Sequence, residues 1–343
     1  MEHLRFNAKR LFMIFILGFV LWRPLTSATP FWVETVMALT INGQFQKAEN
    51  FLHQKIAESD SALAPCFYLA SVLNSKMTFF ETQQEAEQFV RLLKFIIRQT
   101  NQKLKQAAPS DSLLAHLYFY RGSAYGYLAY FQGQNGQWFA ALKNGLKAVN
   151  NLKKSVSIDS TLYAAYLGLG TYKYWRSTKL KFALWLPFVP DQRAEGIRDI
   201  KRALRSTSNS RYMALHQLVY ILTDYGRYNE ALRYAQEGIK AFPQSQFLWW
   251  AYAHTYFKMH DYPDAAQTYG HLLRLIENDP SANISHRLAC QVRLAEIYLR
   301  MGKRQKARQW ALRALQNKDE YPQTKRNDKR LNKAKSILQQ TKK

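Results

Sequence analysis

The chain has 343 residues, 49 Lys/Arg against 24 Asp/Glu, a formal net charge of +25, and 47% apolar residues, with 20 Phe, 21 Tyr and 8 Trp. Only 14 Gly and 10 Pro are present, and there are no long alternating Val/Ile/Thr runs, so an all-β or a disordered chain is excluded and helix is expected throughout.

Taken in chain order, residues 1–28 read as a cleavable export leader. His3, Arg5, Lys9 and Arg10 precede the apolar run LFMIFILGFVLW, and Thr26, Ser27 and Ala28 are small residues suited to cleavage. Twelve apolar residues are too few to cross a hydrocarbon core of ~30 Å. An uncleaved anchor extended through Arg23, Pro24 and Leu25 is the alternative. Next comes a first helix pair around INGQFQKAENFL (41–52), then a helix around PCFYLASVL. The stretch FFETQQEAEQFVRLLKFIIRQTNQKLKQ is expected to form one long amphipathic helix ending before Pro109. LLAHLYFYRGSAYGYLAYFQGQ and GQWFAALKNGLKAVNNLKKSV form a further pair, with Gly122, Tyr125 and Ala141 as contact residues. Cys66 and Cys290 read as two buried small apolar residues; in an exported protein a bridge between them is the alternative.

LYAAYLGLGTYKYWRS and DQRAEGIRDIKRALRS read as a helix pair whose close contact falls at Gly168 and Gly196. An insertion at about 177–190 separates these two helices, and Pro187 and Pro190 prevent it from being one continuous helix. It carries Phe182, Trp185, Leu186 and Phe188, beside Arg176, Lys179 and Lys181. It is read as a plug packed on neighbouring helices, as a docking surface for a partner, or as a membrane-interface segment.

DYGRYNEALRYA (224–235) and KMHDYPDAAQTY (258–269) begin 34 residues apart, and RMGKRQKARQWA (300–311) follows 42 later, the excess of eight matching the polar stretch NDPSANIS. With Ala231 as the twentieth position of a unit, Gly226, Tyr228, Ala235, Gly238 and Pro243 take positions 15, 17, 24, 27 and 32. Trp249, Ala253, Tyr256, Tyr262, Ala265 and Tyr269 take positions 4, 8, 11, 17, 20 and 24 of the next unit. Trp32, Gly43, Phe45 and Ala48 fit an opening unit, and Leu294, Ala295, Tyr298, Gly302, Ala307, Ala311 and Ala314 a closing one, ahead of the polar-faced helix DKRLNKAKSILQQ. This pattern resembles the tetratricopeptide repeat: small residues at 8 and 20 let paired helices approach, and large residues fill the space around them. Residues 168–205 are also similar to a segment of the family containing the inclusion-body clearance protein of the mitochondrial outer membrane and tetratricopeptide repeat protein 39.

The resemblance implies an all-α, right-handed α-solenoid of antiparallel helix pairs over residues 29–322, with an irregular middle, an insertion inside one unit, and a basic closing helix and tail at 323–343. It also implies that first helices line a concave groove for a peptide or loop of a protein partner. On those helices Tyr166, Lys173, Arg176, Gln217, Tyr220, Tyr252 and Lys258 occupy positions not spent on packing, and with Lys179, Lys181, Trp185 and Phe188 they are the candidate binding residues. Aromatic area and cations suit an acidic or aromatic-bearing segment; the alternative is that several of these tyrosines belong to the core.

No metalloprotease, Cys-x-x-Cys, Gly-x-Ser-x-Gly or phosphate-loop pattern is present, so no catalytic residue, metal or cofactor is indicated. Residues 300–343 hold 15 Lys/Arg against Asp319, Glu320 and Asp328, a surface that attracts polyanions. Export argues against nucleic acid and favours anionic lipid head groups, cell-wall polymers or acidic proteins. The expected function is a non-enzymatic scaffold of the cell envelope; the alternative is a periplasmic ligand-binding subunit associated with a transporter.

Overall fold

The computed structural model describes residues 31–59, 62–105, 110–180, 190–206 and 208–342. Their regular structure is helical: α1 Phe31–Ile41, α2 Phe45–Ala57, α3 Leu63–Phe80, α4 Ala86–Lys103, α5 Asp111–Gln134, α6 Trp138–Ile158, α7 Ala164–Lys179, α8 Arg193–Ala203, α9 Ser210–Asp224, α10 Tyr228–Ala241, α11 Gln246–Met259, α12 Tyr262–Glu277, α13 Ile284–Arg300, α14 Arg304–Gln316 and α15 Lys325–Gln340. Consecutive helices pack as antiparallel pairs, and each pair packs on the next. From α9 on, the small residues of the repeat lie at the helix contacts: Ala231, Ala253, Ala265, Ala295, Ala307, Ala311 and Ala314 are all fully buried. Side chains no larger than a methyl group allow two helix backbones to approach closely. The last pair is closed by α15, whose Ala334 and Ile337 share a core with Leu288, Val292 and Ala307.

The turns inside the pairs repeat one device. Gly43, Gly136, Gly226 and Gly302 all have positive φ, between 72° and 86°. At each, the following residue's N–H reaches back to a carbonyl five residues earlier: Gln44 to Leu39, Gln137 to Gln132, Arg227 to Leu222 and Lys303 to Tyr298. This left-handed cap ends one helix and turns the chain directly into the next. His260 takes the same place between α11 and α12 with φ 66°, and Asp261 donates to the Tyr256 carbonyl. A side chain in that region is strained, so His260→Gly is expected to raise stability by roughly 0.5–1 kcal/mol, which a denaturant melt would read as a later midpoint.

Two expectations from the sequence are corrected. The long helix read through FFETQQEAEQ is interrupted: α3 stops at Phe80, Glu81 caps it with φ 55°, and α4 starts at Ala86. The left-handed cap is held from far along the chain, because the Glu81 carboxylate accepts from Arg330 at 2.7 and 2.8 Å and lies 2.8 Å from Arg326. Between α7 and α8 the close approach is made by Gly170 and Gly196, not by Gly168. A β-carbon on Gly196 would lie 2.6 Å from the Gly170 carbonyl oxygen, whereas one on Gly168 would meet Leu152 of α6. Gly122 does lie at the α5–α6 contact, where a β-carbon would come within 3.1 Å of the Ala148 carbonyl.

Cys66 and Cys290 are free and buried. They belong to different parts of the core, Cys66 beside the α1–α4 aromatics and Cys290 beside α12 and α13. Burial pushes both thiols up, as expected for small apolar residues rather than reactive thiols. The stretch read as a leader and most of the expected insertion, Lys181, Trp185 and Phe188 included, lie outside the described residues.

Candidate interaction surfaces

The first helices of the later pairs do not present an open face along their whole length, because residues of α1 and α3 bond to their N-terminal ends. The Asn209 N–H donates to Glu34 Oε2 at 2.7 Å, Ser245 Oγ donates to the Ile41 carbonyl at 2.6 Å, and Asn283 Nδ2 donates to the Phe79 carbonyl at 3.2 Å. Ser245 and Asn283 also cap their own helices, accepting from the N–H groups of Leu248 and Ser285. One side chain at each helix start therefore satisfies an orphan amide and a distant carbonyl together.

Aromatic rings fill the space behind these bonds. Phe79 packs on Phe247 (ring centroids 4.8 Å apart), on His286 (4.6 Å) and on Phe45 (5.5 Å). Phe247 meets His216 (5.7 Å), His216 meets Tyr220 (5.1 Å), and Tyr220 meets His254 (5.6 Å). Burial holds His216, His254 and His286 neutral, with pKa values lowered to about 4; Arg293 and Lys258 add to the effect at His254. At His286 the nearby Glu81 opposes the shift and Arg330 reinforces it.

The candidate residues divide accordingly. Tyr166 is only 5% exposed and belongs to the core, with the Arg202 guanidinium 4.3 Å above its ring. Lys173 is held by Glu195 (2.5 Å) and Asp199 (2.6 Å); burial by itself would lower its pKa, but the two carboxylates outweigh that and raise it. Its charge is spent inside the α7–α8 pair. Arg176 lies 3.5 Å from Gln192 Oε1, and Lys179 is exposed at the end of α7. Gln217 is half-buried on α9.

Tyr220 and Tyr252 turn to different sides. Tyr252 accepts from Gln236 of α10 at 3.0 Å and its hydroxyl lies 2.9 Å from that of Tyr256, so it faces the second helices. Tyr220, through His254, faces the first helices. One turn on from His254, Lys258 is exposed, and Arg293 of α13 sits 4.1 Å over the Phe257 ring while pairing with Glu296 at 2.8 Å. On this stretch of the first-helix face Lys258 is exposed, and Tyr220, His254, Phe257 and Arg293 around it are half-buried.

A second surface lies on a helix that the sequence pattern assigns to a packed pair. On α6, Trp138 (70% exposed), Phe139 (92%), Leu142 (61%) and Leu146 (51%) all face outward. The packed side of the same helix is supplied by Ala148, Asn151, Leu152 and Ser155. The excess was visible as apolar residues on both faces of one helix, but apolar residues at helical spacing usually signal core.

No protein-family model matches the sequence, and no curated protein matches it either. Among solved structures, it is similar to a tetratricopeptide repeat protein from Parabacteroides merdae (15% identity, 91% of this chain and 97% of the other, TM-score 0.40). It is also similar to the C-terminal part of a repeat-containing protein from Cytophaga hutchinsonii (13% identity, 85% and 96%, TM-score 0.45). A third likeness is to PilF of Pseudomonas aeruginosa (19% identity, 64% and 90%, TM-score 0.40). From their own paired helices, buried alanines and recurrent left-handed turns, the described residues form an α-solenoid of tetratricopeptide-like antiparallel helix pairs.

Proposed function

We propose that the chain is a protein-binding scaffold, exported by residues 1–28 and working at the cell envelope, that holds an acidic segment of a partner on the first-helix face around Lys258. The observation that carries this reading is the exposed Lys258 beside the Tyr220–His254 stack and the Arg293–Phe257 pair. Aromatic faces supply contact area at low entropic cost, and a desolvated cation selects a carboxylate. Near the N-terminal ends of α9, α11 and α13 the equivalent ground is already taken by Glu34, Ile41 and Phe79, which confines the partner to the C-terminal part of this face.

The test is cross-linking in intact envelopes followed by identification of what is retained. Lys258→Glu is expected to melt like wild type, since the residue is exposed, and to lose capture by roughly three- to tenfold through charge reversal. Undiminished capture would move the site elsewhere. A thermal shift with a metabolite panel, without a cross-linked partner, would instead support the ligand-carrier reading.

A further inference from the structure

We propose that the exposed face of α6 is a membrane-docking surface, and that what covers it is the anionic interface of a lipid bilayer. At about 100° of turn per residue, Trp138, Phe139, Leu142 and Leu146 fall within an arc of about 100° on the outer side of the helix. They extend about 12 Å along its axis. Their exposures, 70%, 92%, 61% and 51%, are those of side chains that project from the surface. Contiguous exposed apolar area of this kind marks an interaction site rather than scattered surface residues.

The charge around this arc selects the occupant. Lys153 lies on the same outer side further along the helix, Lys143 borders the arc, and both are exposed. Lys147 and Lys154 follow at the edge, their ammonium groups 5.1 and 5.4 Å over the rings of Tyr125 and Tyr118. No Asp or Glu occurs from Ser112 to Ile158, so the whole α5–α6 hairpin beyond its first residue is free of carboxylates. Protruding Trp, Phe and Leu next to a row of lysines is the arrangement of a helix lying in a head-group layer, apolar side chains at the acyl boundary and ammonium groups among the phosphates. The opposite side of α6 is locked into the solenoid by Ala148, Leu152 and Ser155, so the contact lies on the surface of the bilayer. This inference concerns a different helix from the partner-binding face and is independent of it.

The test is co-sedimentation of the full chain with vesicles of phosphatidylcholine alone and of phosphatidylcholine with phosphatidylglycerol. The wild type is compared with Trp138→Ser/Phe139→Ser/Leu142→Ser and with Lys143→Glu/Lys153→Glu. Residues 1–30 are common to all three proteins, so the difference between them reads α6. The triple variant is expected to lose binding to anionic vesicles by about tenfold or more, and the charge variant is expected to lose the preference for anionic over neutral vesicles. Both should melt like wild type and keep the cross-links of the Lys258 face. Equal vesicle binding by wild type and both variants would overturn the proposal. So would a wild type that leaves vesicles alone while the triple variant loses an envelope cross-link, which would make the face a protein-docking site. A dimer that the triple variant converts to monomer would overturn it in favour of a second copy of this chain.

Discussion

Gly196→Ala is expected to destabilise the protein by about 2 kcal/mol or more, against the direction that helix propensity alone would give. In an exposed helix interior, exchanging Gly for Ala gains up to about 1 kcal/mol. Here the added carbon would sit 2.6 Å from the Gly170 carbonyl oxygen, 2.9 Å from the Tyr174 amide nitrogen and 3.2 Å from the Tyr174 β-carbon. The nearest atoms belong to backbone, so no rotamer change relieves them; α7 and α8 must move apart, and overpacking of that kind costs roughly 1–3 kcal/mol and occasionally more. Gly126→Ala supplies the control. It is also helical, but its new carbon would have only the Ala148 β-carbon within 4 Å, at 3.8 Å, so the propensity term wins and the variant should gain a few tenths to 1 kcal/mol. Thermal melts of both variants read the pair. A Gly196→Ala protein that melts at or above wild type would mean that these helices do not approach at Gly170 and Gly196.

Acidification is expected to loosen the contact of α1 and α3 with the later repeats well before general acid unfolding. His216, His254 and His286 have pKa values lowered to about 4 from 6.5 by burial. A group whose folded pKa lies below its unfolded value contributes fully above the unfolded pKa, and that contribution is lost as pH falls towards the folded one. The loss therefore runs between about pH 6.5 and 4, and the three together are on the order of 5 kcal/mol, discounted for the partial exposure of His216 and His254.

The groups facing these rings are Tyr220 and Phe247 at His216, Tyr220, Arg293 and Lys258 at His254, and Phe79, Trp250, Glu81, Arg330 and Arg326 at His286. Only Glu81 would welcome a new positive charge, and it is already held by two arginines. Burial alone would raise the pKa of Glu81, but Arg330 and Arg326 lower it overall, so its clasp is lost at a lower pH than an unpaired carboxylate would be. Denaturant melts at pH 7 and 4.5 give the measurement. His286→Phe keeps the ring contact with Phe79 and removes the titrating group, so it should lose less stability over the same interval. An identical pH slope in that variant would exclude His286 as a contributor.

The amino-acid pattern carries the repeat because the information is local. Ala231 and Ala265, Tyr228 and Tyr262, and Gly226 and Gly302 each report a contact or turn made within one unit, where periodicity and spacing are the physical constraint. The Gly168–Gly170 pair shows the limit of that signal. Two residues apart on a helix they face nearly opposite ways, and only the neighbours decide that Gly168 meets Leu152 and Gly170 meets Gly196.

What the tertiary structure alone decided is the long-range layer, and the candidate site with it. Ser245 reaches Ile41 across 204 residues and Arg330 reaches Glu81 across 249, separations at which no periodicity exists to be read. The left-handed Glu81 that breaks the expected long helix is stabilised by arginines from the other end of the chain, so local propensity at FFETQQ favours continuity where the fold imposes a cap. Tyr166 and Lys173 had the composition of binding residues, but a tyrosine serves equally in a core and a lysine equally in an ion pair. Whether such side chains meet a partner depends on which helix arrives beside them, and that is fixed by long-range contacts such as those of Ser245 with Ile41 and Arg330 with Glu81.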